Sequence, residues 1–191
     1  MKIHRLAGLA AIAAFCAGAV VAGPLKLKPA DPQPESVNAG LAVDYAFPED
    51  VKSLRDAYIA LGIGAKPGAP LVGLNYISSE SEPYALTSEQ ETRVAARIKG
   101  YVRFDAAGTY TLETYSNDGL ELSIGGREVA KVDEKRSCDP IGPVEVKVPE
   151  AGWYELEALY WQRKGGSCLI MEWAAEGEEL GTVPDEAFGY K

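Results

Sequence analysis

From Arg93 onward the chain alternates apolar and polar positions with a period of two. In 93–104 (RVAARIKGYVRF), Val94, Ala96, Ile98, Val102 and Phe104 share one face, the pattern of a half-buried strand. The same pattern returns in 109–115, 120–124, 127–132, 144–148, 153–161 and 168–174. Each run is short, rich in β-branched or aromatic residues, and bounded by Gly, Pro, Asn or Asp. An opening strand is predicted at Gly40–Tyr45, where Leu41, Val43 and Tyr45 alternate. One stretch breaks the rule. In 50–61, Val51, Leu54, Tyr58 and Leu61 have the spacing of a short amphipathic helix, and a Gly/Pro-rich loop follows to Pro70. Ser88 with Glu91 has the form of a capping box and predicts at most one helical turn. Strand starts recur about every 8–16 residues, which leaves no room for the crossover helices of a parallel sheet. The fold class is therefore all-β: an antiparallel β-sandwich, jelly-roll- or barrel-like, with a short helix near the N-terminus.

The N-terminus follows another logic. Lys2 and Arg5 precede an uncharged apolar run from Leu6 to Val21, and Val20-Val21-Ala22 supplies small residues for a signal peptidase. Cleavage is predicted after Ala22. The run is short and rich in Ala and Gly, unlike a membrane span of about 20 strongly apolar residues. Phe15 stands before Cys16 where a lipid-attachment signal wants a small residue. Residues 23–37 carry four prolines and read as a semi-rigid spacer or an extended edge. The organisation is then signal peptide 1–22, proline-rich spacer 23–37 and one domain over 38–191, in a periplasmic or secreted protein that is not an integral membrane protein.

Charge narrows the partners. The chain has 19 Lys and Arg against 28 Asp and Glu, a net −9. Loss of residues 1–22 removes only Lys2 and Arg5 and takes the balance to −11. Such a surface argues against nucleic acid and anionic lipid, which both demand clustered cations. Its carboxylates either solvate the protein or hold a hard cation. The only histidine, His4, lies in the signal segment, so the exported chain lacks the common general base and most zinc or copper sites. No catalytic residue is assigned. Cys138 and Cys168 are the two cysteines that remain; in an oxidising compartment they read as a disulfide, or else as two free thiols.

Three stretches in order carry a resemblance. They are Gly100–Phe104 with Ala107–Leu112; Ser116-Asn117-Asp118-Gly119 running to Gly125-Gly126; and Ala151–Leu156 running through Tyr160 to Met171-Glu172-Trp173. Together they resemble the PA14 domain, the β-sandwich module named after the protective antigen of a bacterial toxin, over about residues 38–188. The resemblance implies a glycan-binding turn in which two adjacent Asp residues hold calcium, which in turn grips sugar hydroxyls. Calcium takes six to eight oxygens. Here the matching pair is Asn117-Asp118, one formal charge short, and Gly125 stands where an Asp of the next turn is usual. On this reading Asp118 is the principal ligand and Asn117 assists. Asp133, Glu134 and Asp139, in the loop that reaches Cys138, complete the shell if they fold over the same end. The alternative for Asn117-Asp118-Gly119 is a plain hairpin turn.

Among the tryptophans, Trp153 and Trp173 are expected in the core, with Trp161 beside the exposed turn 162–166 as a sugar-stacking platform. Glu155 and Glu157 share a strand face with Trp153 and Trp161, so an exposed face explains them without glycosidase chemistry. The functional expectation is an exported, non-catalytic binding module for carbohydrate or another cell-envelope polymer, assisted by calcium. The alternative is a structural domain that docks another envelope protein without a small ligand.

Overall fold

The computed structural model describes residues 23–191. The expected signal peptide and its cleavage point lie outside the described residues. In chain order the first elements are β1 (Leu25–Lys26), β2 (Asn38–Ala39), β3 (Ala42–Ala46), α1 (Leu54–Gly64), β4 (Lys66–Pro67) and β5 (Asn75–Ile77). The long strands follow: β6 (Val94–Phe104), β7 (Gly108–Ser116), β8 (Gly119–Ile124) and β9 (Arg127–Val132). After the short β10 (Asp139–Pro140) come β11 (Val144–Val148), β12 (Gly152–Gln162) and β13 (Cys168–Ala175). The chain closes through β14 (Gly181–Thr182), a 3-10 turn at Asp185–Ala187 and β15 (Phe188–Tyr190).

Two sheets stack into a sandwich. The first runs β1-β11-β7-β13-β14, with β10 beside β7 and β5 beside β13. The second runs β2-β15-β6-β12-β8-β9, with β3 beside β6 and β4 beside β3. Every pairing is antiparallel except β1 with β11. The period-two pattern has its cause here. Ile98, Val102 and Phe104 of β6 and Tyr154, Leu156 and Tyr160 of β12 point inward and are buried against Leu112, Val146 and Met171 of the facing sheet. Phe104 meets Tyr110 and Tyr154 edge-on, with centroids 4.9 and 5.3 Å apart, the geometry aromatic quadrupoles favour.

The helix lies over the outer face of the second sheet, against β3, β6 and β12. Ser53 Oγ accepts from Asp56 N at 3.1 Å and caps its start. Its buried face is Leu54, Ala57 and Leu61. Tyr58, expected on that face, is 65% exposed, because Ala57 and not Tyr58 takes the position against the sheet.

Of the two readings of 23–37, spacer or extended edge, the structure has the edge. Its Leu25-Lys26-Leu27-Lys28 run alternates as a strand, and Leu27 is buried in the core. Leu27 N donates to Lys147 O at 3.0 Å and Ala30 N to Trp153 O at 2.9 Å, so this stretch is an edge of the sandwich itself. Gly152, at the start of β12, has a positive φ (144°), whereas Gly108, at the start of β7, does not.

Candidate binding site at the loop end

Register brings one set of loops together. Ala46, Ala95, Trp161 and Gly119 stand side by side across the second sheet, and Val132 pairs with Leu120. The segments beyond them therefore emerge at one end: 47–50, 78–93, 117–118, 133–138 and 162–167.

Asn117-Asp118 is the hub of this end and is not a hairpin turn. It carries the chain from β7 in the first sheet to β8 in the second. Asp118 supplies the left-handed backbone step, at φ 49°. Gly119 is needed for a different reason: a Cβ there would collide with the Trp161 indole. Both polar side chains turn inward and are buried. Asn117 Oδ1 accepts from Tyr160 Oη and from Cys168 N, each at 2.7 Å. Asp118 Oδ2 accepts from Arg163 N at 2.7 Å, and Oδ1 from Arg136 N at 3.3 Å. Burial raises the Asp118 carboxyl above the ordinary Asp value, against the lowering pull of those backbone N–H groups. Burial also pushes the Tyr160 hydroxyl far up, so it stays a neutral donor to Asn117.

Further ties fix the neighbouring loops. Cys138 and Cys168 form the expected disulfide, with Cα atoms 5.6 Å apart. The Arg163 guanidinium holds Asp50 through two bonds of 2.7 and 2.9 Å, and this hydrogen bonding pulls the Asp50 carboxyl well below its ordinary value. Arg93 Nη1 donates to Glu49 O at 3.2 Å, and Ser167 N to Ser78 Oγ at 2.7 Å. Gln162 Oε1 is a buried acceptor that meets no donor among the described residues.

The remaining expected site residues are scattered. Trp161 is fully buried, not exposed at a rim. Its side chain does leave the outer face of β12, but α1 covers that face, and Leu54, Ala57 and Leu61 of the helix cluster around it with Val51, which precedes the helix. Asp133 Oδ1 accepts from the Trp161 indole at 3.0 Å and from Leu54 N at 2.7 Å, so it anchors the helix start. Asp139 is exposed and pairs with Ser116 across the β7 edge. Gly125 lies at the far end of β8, about 20 Å from Asp118 at strand rise. A side chain there would press on Lys28, with backbone atoms 2.8 Å from its Cβ. Trp173 packs against the core as expected, whereas Trp153 is half-buried on the outer face beneath the Arg103 guanidinium.

The oxygens of Asn117 and Asp118 already accept from protein donors. Among the described residues no three His, Cys, Asp or Glu side chains come together as a metal-holding group. Sequence reasoning missed Arg163 and Asp50, which are 113 positions apart and carry no shared motif.

The architecture is a β-sandwich of two stacked antiparallel-rich sheets with linked loops at one end. A family model described as "PA14 domain" matches residues 75–187, more than half of the chain, and the protein belongs to that family. A comparison with curated proteins gives no match. Solved structures share the fold. The PA14 domain of the antifreeze protein MpAFP is 19% identical, with TM-score 0.65, covering 84% of this chain and 95% of its own. The PA14 sugar-binding domain of an RTX adhesin is 15% identical, with TM-score 0.62, covering 82% and 100%. The A domain of epithelial adhesin 9 from Candida glabrata, solved with Galβ1-4GlcNAc, is 15% identical, with TM-score 0.68, covering 87% and 95%. Among the described residues no helix is long and apolar enough to cross a membrane.

Proposed function

We propose that this chain is an exported, non-catalytic module that binds carbohydrate or another cell-envelope polymer through the loop end of its sandwich, without calcium at the Asn117-Asp118 crossover. The observation that carries the reading is the cross-tying of that end. Asp118, the Cys138–Cys168 bond and the Arg163–Asp50 pair hold four loop segments in fixed relation before any ligand arrives. A preorganised loop end spares the ordering entropy that a flexible site would lose on binding. Sugar-binding domains among the PA14 structures support the choice of ligand class. The acidic balance supports a neutral or cationic polymer over an anionic one.

The test is a glycan array probed with the purified chain in buffer containing EDTA. Saturable binding to a subset of glycans is the expected result. A silent array, with and without added calcium, overturns the reading.

One observation favours the interaction-domain alternative. Tyr58, Ile59 and Ile63 leave apolar surface on the outer side of α1, with Ile63 84% exposed. A partner that covers this side would be captured from the native compartment and lost on Ile63→Asp.

A further inference from the structure

Beside β3 lies a hollow of about 310 Å³, lined by Tyr45, Phe47, Lys66, Thr87 and Glu89 and floored by the 67–69 turn. Its volume sits at the small end of ligand sites, enough for one sugar ring and part of a second. Phe47 follows directly on the Ala46–Ala95–Trp161–Gly119 row, so the hollow opens at the same end as Asp118 and Arg163.

Its aromatic wall is fixed. Phe47 is 47% exposed, yet its ring stacks on Tyr45 with centroids 6.1 Å apart and planes within 17°. Tyr45 is buried, and its hydroxyl is pinned by Thr87, to Oγ1 at 2.9 Å and from the backbone N at 3.1 Å. Thr87 Oγ1 donates in turn to Ala69 O at 2.6 Å. Gly68 lies directly on the Tyr45 ring, where any Cβ would collide, so the 67–69 turn can close the floor only with glycine there. The polar lining is left open. Lys66 and Glu89 are exposed, and neither forms an ion pair among the described residues. One positive and one negative group offset each other, so the hollow carries no net charge to select an anion or a cation.

We propose that this hollow is a sugar subsite that takes a neutral pyranose ring. The apolar C–H face of the ring lies on Phe47, while Lys66 donates to its hydroxyls and Glu89 accepts from them. An apolar platform beside exposed polar groups free of ion pairs matches the two-sided chemistry of a pyranose, which an all-apolar or all-charged hollow does not. The subsite rests on the carbohydrate reading above and locates its ligand away from the Asn117-Asp118 crossover.

The test is isothermal titration of wild type, Phe47→Ala, Phe47→Trp and Tyr58→Ala with Galβ1-4GlcNAc and with the strongest neutral glycan from the array. Phe47 is a surface side chain, so Phe47→Ala is expected to melt with wild type. Loss of the platform should weaken binding about tenfold, while Phe47→Trp restores it and shows a sugar-dependent fluorescence change. Tyr58→Ala, on the helix surface, should bind as wild type does. If wild type binds and Phe47→Ala binds equally well, the subsite is wrong and the broader reading survives. If wild type binds neither probe, the carbohydrate reading fails and takes the subsite with it.

Discussion

Asp118 turns a charged side chain into the protein, where it caps two backbone N–H groups from loops 18 and 45 positions away. Asp118→Ala leaves those donors without their acceptor and should cost about 1–3 kcal/mol in urea unfolding. An unchanged midpoint would refute the structural role. Its titration has a definite sign. Burial raises the folded midpoint above the unfolded one, so the carboxyl binds its proton more tightly in the folded state. Its contribution to stability is then fully present below the unfolded midpoint and is lost as pH rises through the folded midpoint. A carbon-13 titration should find the Asp118 carboxyl above the ordinary Asp value. Asp50 runs the opposite way: its depressed carboxyl stabilises above the ordinary carboxylate range and loses this as pH falls, an effect kept small by exposure. The importance of Asn117-Asp118-Gly119 was legible in the sequence, because such a tripeptide rarely lies inside a strand. Its inward orientation was not legible, since the partners that bury it come from strands far along the chain.

Among the elements, the long strands were readable from residue pattern alone because alternation is local and each face has one fate. β6, β7, β8, β9, β11, β12 and β13 all fall within a residue or two of the predicted runs. Trp161 escaped the same logic. Alternation puts it on the outer face, and only α1, about a hundred positions earlier, decides that this end of the face is covered. The prolines of 23–37 left spacer and extended edge both open, although Leu25 and Leu27 already alternate with Lys26 and Lys28. At this scale the disulfide gives the clearest prediction. It closes a separation of 30 residues, for which chain entropy gives roughly 3–4 kcal/mol. Replacing both cysteines by serine should lower Tm by on the order of 10 °C. A melt within a degree or two of wild type would show that the other ties hold the 133–138 and 162–167 loops without it.

For the whole molecule, the sandwich serves as a rigid frame for one end. Its core aromatics and ladders fix where the loops emerge, and the ties between loops fix what they present. Protein donors hold the Asn117-Asp118 crossover, so millimolar calcium is expected to leave Tm where it was. The surface charge of −11 expected after loss of residues 1–22 adds a long-range bias against anionic polymers that high salt should relax. The central claim is that a neutral sugar binds at this preorganised end with no metal. The most direct measurement is a proton–nitrogen correlation spectrum of the chain titrated in EDTA with Galβ1-4GlcNAc or the best array glycan. The account predicts saturable shifts confined to 45–50, 66–69, 87–89 and the adjoining 162–167 loop. Shifts spread over the outer sheet face or along α1, or a spectrum that does not move at all, would contradict it.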